Sequence, residues 1–565
     1  MSSPFSSKLG TNYCPKDEEL VEIKNLIIEP TLRLRRLDDE IVELQSALVK
    51  LAAERDSVEA FVDAHKALIS PARRLPLDII QEIFVACLPT HRNCVMSASE
   101  APVLLGRICG LWRAISLSTP RLWSKIHVVE PFHWLPSPLL EKKLAQRLET
   151  TKIWLERSGQ CRLSISLECR TDGNDSSGYP PDHSTSAVTP GAMQFLQALI
   201  PSSRRWQHIH FSAPRWMLWE TLLHLHEADV PLLESVAIYH NFRDDSAAMG
   251  SLGSLGPLEI LRGTRISSFS TPGNSFVSTL FPLRWQQLTS LTIDGPPWNV
   301  GYDLNSEEIL RTIARCPELR FCRLGINDGE NTEVHSQHPV VELPFLHTLE
   351  LHSVESMEPT VSFLLERISL PKLRSFTIRS YMETQYPGSL APFFTRSANL
   401  ETLEIDSMAF SRASLTESLL GLPPTIRRLG IHNLNNRWGI AAPPSLADET
   451  LAVLTPAHGL PVQCCPGLQD LFINHCIDIT DEALLRFVTA RLSDPHSRLR
   501  RIEVQFDRIM EADILPTLKP FIDSGLNISI MHFVPTPVRF SPWQGLSDAP
   551  PPEEYYLPAP QPSIW

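Results

Sequence analysis

The sequence predicts an α+β protein: an N-terminal helical segment, a cluster of three short helices, then an irregular α/β array of strand–helix units. Three patterns carry that expectation. Apolar residues recur at heptad spacing between Leu34 and Val62. Two apolar stripes at three- and four-residue spacing lie between Leu75 and Trp112. Beyond residue 200 the pattern apolar-x-x-apolar-x-apolar returns ten times. The first two periods are helical and the third is that of a short, half-buried strand.

Bulk properties bound the partners. The 565 residues include 51 Lys and Arg against 64 Asp and Glu, a net charge of −13, with no run of basic residues. Nucleic acid and anionic membrane both require a cationic footprint, so neither is expected as the main partner. Eleven cysteines without a C-x-x-C pair argue for free thiols rather than a zinc knuckle or redox dithiol. Neither a signal-peptide core nor a membrane-length apolar run is present. The expectation is an intracellular protein, cytoplasmic or nuclear.

Residues 1–20 are small, polar and charged, and are expected to be disordered. Residues 21–68 should form one helix. Leu34, Leu37, Ile41, Leu44, Leu48, Leu51, Val58 and Val62 make a coiled-coil-like stripe interrupted by Arg55. Such a stripe suits weak self-association or packing on the chain's own next segment. Pro71 should end the helix.

Residues 69–126 read as the helical cluster. Pro76 stands at a helix start, where its missing N–H costs nothing. Leu75, Ile79, Ile80, Ile83 and Phe84 follow as one stripe; Leu104, Leu105, Ile108, Leu111 and Trp112 form a second, closed by Leu122-Trp123. So much apolar surface exceeds what some fifty residues bury alone, and implies a partner. The ordered anchors Leu75-Pro76, Asp78, Ile83-Phe84, Cys109-x-x-Trp112-Arg113 and Leu122-Trp123 resemble an F-box. Asp78 stands where Glu is commoner, and Gly110 replaces a basic residue. The resemblance implies docking to the Skp-type adaptor of a cullin-RING ubiquitin ligase through Leu75, Pro76, Ile79, Ile83, Phe84, Leu105, Ile108, Trp112 and Trp123.

Residues 139–533 read as a solenoid. A helix over 139–157 precedes the alternating Leu163, Ile165 and Leu167, and the Gly/Ser/Pro-rich stretch 171–191 is a loop insertion. The recurrent pattern begins at Trp206, Leu233, Leu288, Leu319, Leu346, Leu373, Leu400, Ile426, Leu468 and Leu499, with Ile266/Phe269 as a degenerate copy. Successive steps of 27, 27 and 26 residues follow Leu346. A fixed period of this size signals stacked units that share one core. The pattern resembles leucine-rich repeats, most clearly from Cys465 to Leu484, where Asn474 and Cys476 would satisfy backbone groups and Thr480 would cap a helix. Residues 534–565 are a proline-rich tail.

No catalytic constellation emerges. His226-Glu227 begins a zinc-protease motif, but Val230 occupies the second ligand position. Cys464, Cys465, His475 and Cys476 are close in sequence, yet the repeat register explains Cys476 as a structural residue. No cofactor is expected. The free strand positions face one side of the array, and Phe321, Arg323, His352, Arg379, Tyr381, Arg428, Phe472 and Arg501 are of the types that anchor interfaces. With the F-box resemblance and the resemblance to the F-box families of mushroom-forming fungi, this layout implies the non-catalytic substrate-recognition subunit of an SCF-type ligase. A ligase-independent repeat scaffold is the alternative; a small-molecule sensor using the same face is a third.

Overall fold

The computed structural model describes residues 3–69, 71–131, 137–169, 190–239, 256–272, 281–294, 304, 306–326, 339–353, 360–380, 388–433, 446–456, 464–494 and 497–533. The chain divides into two compact units, Met1–Ala86 and Cys87–Trp565. The boundary falls inside the segment 69–126. Of the loop insertion 171–191, residues 171–189 lie outside the described residues, as do Tyr381 and the tail 534–565. Residues 190 and 191 already begin a helix, a correction to the expected loop.

In the first unit, helix α1 (Asp17–Leu68) runs for 52 residues, through Pro30, and is about 78 Å long at the usual rise. It starts four residues earlier than expected because of a local network. Glu19 accepts from the amide of Lys16 at 2.9 Å, from Tyr13 Oη at 2.8 Å and from Lys8 Nζ at 3.0 Å. Those donors, the Lys16 amide foremost, hold its carboxyl down at about 2. Residues 4–10 form turns, a correction to the disorder expected for 1–20. Acids fill the first turn of α1 and His65 and Lys66 the last, matching the helix dipole. Every residue of the heptad stripe is exposed. After a 3-10 turn at Pro71–Arg74 comes α2 (Leu77–Ala86); Pro76 precedes it, its carbonyl accepting from Ile80 at 3.1 Å.

The second unit opens with two short helices, α3 (Leu105–Ile108) and α4 (Gly110–Leu117), broken at Cys109. Cys109 is extended (φ −157°, ψ 170°), and its Sγ accepts from the Trp112 amide as an N-cap. Trp123 is pinned beneath: its Nε1 donates to Ser116 O at 2.8 Å and its ring meets Trp154 edge-on at 4.9 Å. Trp154 lies on α5 (Ser137–Arg157).

Sixteen strands follow among the described residues: β1 (Lys125–Val129), β2 (Leu163–Glu168), β3 (Trp206–Ser212), β4 (Ser235–Tyr239), β5 (Ser268–Thr271), β6 (Ser290–Ile293), β7 (Phe321–Ile326), β8 (Val341–Glu342), β9 (Thr348–Ser353), β10 (Ile368–Ser369), β11 (Ser375–Ser380), β12 (Thr402–Asp406), β13 (Arg428–His432), β14 (Asp470–Cys476), β15 (Arg501–Phe506) and β16 (Asn527–Met531). Fourteen of them form one parallel sheet whose order follows the chain; β8 and β10 pair separately. Parallel neighbours require crossovers, and these carry α6 (Pro190–Leu199), α7 (Arg215–Leu222), α8 (Ser306–Ile313), α9 (Thr360–Glu366), α10 (Ala391–Arg396), α11 (Arg412–Leu420), α12 (Asp448–Leu454), α13 (Asp481–Leu492) and α14 (Leu515–Asp523). Helices touch their sequence neighbours, as α11, α12 and α13 do.

The expected apolar positions make the core. Leu349/Leu351, Phe376/Ile378, Leu403/Ile405, Leu429/Ile431, Leu471/Ile473 and Ile502/Val504 are all fully buried, each contributing about 2 kcal/mol of apolar burial. Their register is continuous: Leu349, Phe376, Leu403, Leu429, Leu471 and Ile502 stand side by side on successive strands. The sheet also extends beyond the expected pattern. It begins at β1, where Ile126 and Val128 alternate inward, and ends with β16; the degenerate copy at Ile266/Phe269 supplies β5. Among the described residues, no helix is long and apolar enough to cross a membrane.

Candidate functional site

Two kinds of surface stand out, one apolar and one polar. On α2 the apolar residues divide sharply. Ile80 and Phe84 are buried, Phe84 to 1% exposure, whereas Ile79 and Ile83 keep 44% and 43%. Leu75, Pro76 and Leu77 are exposed as well. A ten-residue helix that buries one stripe and leaves Ile79 and Ile83 in water presents an apolar face of the kind that marks interaction sites.

The second unit repeats this division. Leu104, Ile108, Leu111 and Leu117 are exposed, Trp112 is half-buried, and Leu105, Ile115, Leu122 and Trp123 are buried. Of the nine residues expected to meet an adaptor, Phe84, Leu105 and Trp123 are therefore corrected to core positions. They hold the helices while the exposed residues face outward. A cleft of about 240 Å³ beside this segment is lined by Val103, Gly106, Arg107, Arg113, Trp123 and Arg157, among others. Arg157 lies over the Trp123 ring at 4.6 Å.

The polar surface is the sheet face that carries the side chains alternating with the core residues. Strand register builds polar and charged contacts from residues far apart in sequence. Arg323 on β7 donates to Glu350 on β9 at 2.6 Å, directly opposite it. His352 Nδ1 meets Asp294 at 2.7 Å, next to Gly325, which stands opposite His352 without a side chain to obstruct. Glu404 on β12 is a hub, with Arg379 at 3.6 Å, Arg428 at 3.9 Å and His432 at 4.0 Å. Gly430, opposite Glu404, makes the hub possible: a Cβ there would stand 3.0 Å from His432 Nε2 and 3.3 Å from Glu404 Cγ. Asn474 Nδ2 bonds His432 Nδ1 at 3.0 Å. That contact replaces the backbone role expected for Asn474. Burial, aided by the nearby guanidiniums, pushes the His432 pKa down.

Of the eight residues expected on this face, Phe321, Arg323, Arg379 and Arg501 are half-buried and Arg428 is exposed. His352 and Phe472 are buried, a correction to their expected roles as anchors. Phe472 is covered by two guanidiniums, Arg428 at 4.3 Å and Arg501 at 5.3 Å from its ring. Planar cations stack favourably on aromatic faces, so the arginines take the exposure that the ring loses.

The cysteine-rich segment is structural. Cys476 is buried with Sγ near Gln505 O, and His475 turns toward Asp507 at 3.2 Å. Thr480 Oγ1 accepts from the Ala483 amide at 3.1 Å, capping α13 as expected. Cys464 and Cys465 place their sulfurs 3.9 Å apart. Buried Arg491 donates to the carbonyls of Leu454, Cys464 and Cys465 at 2.7–2.8 Å. Among the described residues, no group of three His, Cys, Asp or Glu side chains is placed to hold a metal.

Residues that sequence reasoning passed over include His127, His210 and Tyr239 on the early strands. Tyr239 bonds Ser270 and stacks on His210 at 5.2 Å. It also passed over Arg320, Arg374, Arg427 and Arg500, each following the first apolar residue of a unit. No protein-family model matches the chain, and no curated protein matches it.

Proposed function

We propose that the chain is the substrate-recognition subunit of an SCF-type cullin-RING ubiquitin ligase, with residues 69–126 an F-box and the parallel array a leucine-rich-repeat solenoid. The observation that carries the reading is α2 and the residues just before it, where Leu75, Ile79 and Ile83 stand in solvent while Phe84 is buried. In this reading the exposed residues of α2 dock on the Skp-type adaptor. The sheet face receives the substrate protein. The chain transfers no ubiquitin itself; it raises the local concentration of substrate beside the charged enzyme. The heptad stripe of α1 is assigned to weak self-association.

Co-purification with the adaptor tests this. Wild type should retain it, and Ile79→Asp/Ile83→Asp should lose it with an unchanged unfolding midpoint. Failure of the folded wild-type chain to bind the adaptor would leave the ligase-independent scaffold as the better reading.

A further inference from the structure

The residues immediately ahead of the strands form a cationic row, although the chain as a whole carries −13. Backbone hydrogen bonds of 2.7–2.9 Å run through this row, each amide donating to the carbonyl on the preceding strand. They place Arg320, Arg374, Arg427 and Arg500 in one line, with a single non-arginine between successive members: His347, then Glu401, then Gln469. With strands about 4.8 Å apart, the arginines recur roughly every 10 Å, over a span of about 29 Å.

All four arginines are exposed, and none makes an ion pair among the described residues. Glu350 and Glu404, each three residues beyond the row on its strand, are already engaged, Glu350 by Arg323 and Glu404 by Arg379 and Arg428. Arg428 and Arg501, stacked on Phe472 beside Arg427 and Arg500, are themselves paired with Glu404 and Glu503, so the uncompensated charge is that of the four arginines of the row. Uncompensated guanidiniums at a fixed repeat call for an oxyanion at the same repeat.

We propose that this row binds an extended acidic polypeptide segment bearing carboxylates at about every third residue. An extended chain advances about 3.3 Å per residue, so third-residue side chains match the 10 Å repeat. A segment of roughly ten residues spans the row. A polypeptide fits better than a nucleic acid on two counts. Glu401 and Asp470 interrupt the cationic surface and would repel a continuous phosphate backbone. Phe472, capped by two arginines, offers no open ring on which a base could stack. The proposal deepens the recognition reading by naming the class of substrate segment; the binding itself does not depend on that reading.

Fluorescence anisotropy with the full chain tests it. The probe is a labelled peptide of about ten residues with Glu at the first and every third position after it and Ser between, so that four carboxylates meet the four arginines. It should bind, and more weakly as salt rises. Arg374→Glu/Arg427→Glu should weaken binding roughly tenfold or more. Arg33→Glu/Arg36→Glu on α1 changes net charge equally and should leave the affinity unchanged. Equal loss in both variants, no binding by wild type, or tighter binding of a charge-matched oligothymidylate would each overturn the proposal. Thermal unfolding of both variants controls for folding. Adaptor retention in the same preparations reads the ligase assignment separately, since a chain that keeps the peptide but lacks the adaptor counts against the ligase alone.

Discussion

Asp481, 1% exposed, accepts a hydrogen bond from Arg508 Nη1 at 3.1 Å. The same carboxylate also takes His532 Nε2 at 2.9 Å and the amides of Glu511 and Ala512 at 2.9 and 3.0 Å. The first residue of α13 thereby fastens the segments that follow β15 and β16. Burial alone would raise its pKa, but Arg508, His532 and the two amides outweigh it and hold the carboxyl well below its ordinary 3.8. A depressed carboxyl stabilises the fold above its unfolded value, and that contribution is lost as pH falls below about 4. Asp481→Asn should cost about 3 kcal/mol in urea unfolding at pH 7 and remove part of the acid sensitivity. A cost under about 1 kcal/mol would contradict the anchoring role.

The histidines act at a higher pH. Burial is the first cause that lowers the pKa values of His127, His208, His210 and His432 below 6.5. A lowered imidazole favours the neutral form in the folded chain. As pH falls through 6.5 the unfolded chain takes up protons first, so stability declines. The denaturation midpoint should drop between pH 7.5 and 5, and His210→Gln should flatten the slope. A pH-independent midpoint over that range would exclude this.

Gly421 ends α11 against α10. A Cβ at this position would stand 2.5 Å from Ala391 Cβ and 2.9 Å from its Cα, and the backbone cannot swing aside as a long side chain could. Gly421→Ala should therefore destabilise by about 2 kcal/mol. Gly110, where a Cβ meets nothing within 4 Å, is the control and should accept Ala with little change.

The two sides of α2 should separate in stability measurements. Phe84→Ala removes a buried ring and should cost about 3–4 kcal/mol. Ile83→Ala, at an exposed position, should cost under about 1 kcal/mol. Similar costs at both sites would mean that Ile83 is enclosed in solution.

The strand periodicity was legible because each unit repeats one burial pattern: Leu349, Phe376, Leu403 and Leu429 all fill the same inward position. The heptad helix and the Thr480 cap were legible for the same reason, as local spacing reports local geometry. What escaped depends on register. Asp294–His352 and the Glu404 hub join residues up to 58 positions apart, and only the pairing of intervening strands brings them together. The exposure of Phe472 was misjudged because Arg428 and Arg501 lie 44 residues before it and 29 after it. The cationic row was invisible as a cluster, since its arginines are separated by 53 to 73 residues. Strand β16 was missed because Gly525, three residues before Ile528, stands where the other units carry an apolar residue. Strand β1 carries the full pattern as Trp123/Ile126/Val128 but runs on directly from the helical cluster, whose last anchor is the same Trp123.

In the large sheet, each strand's partners are its neighbours along the chain, so among the described residues no strand of the array clamps distant parts together. Tension applied between Cys87 and Phe533 would load the hydrogen bonds of the terminal strands before those of the middle. The array should yield in a sequence of small force steps, peeling inward from its ends, instead of rupturing in one event.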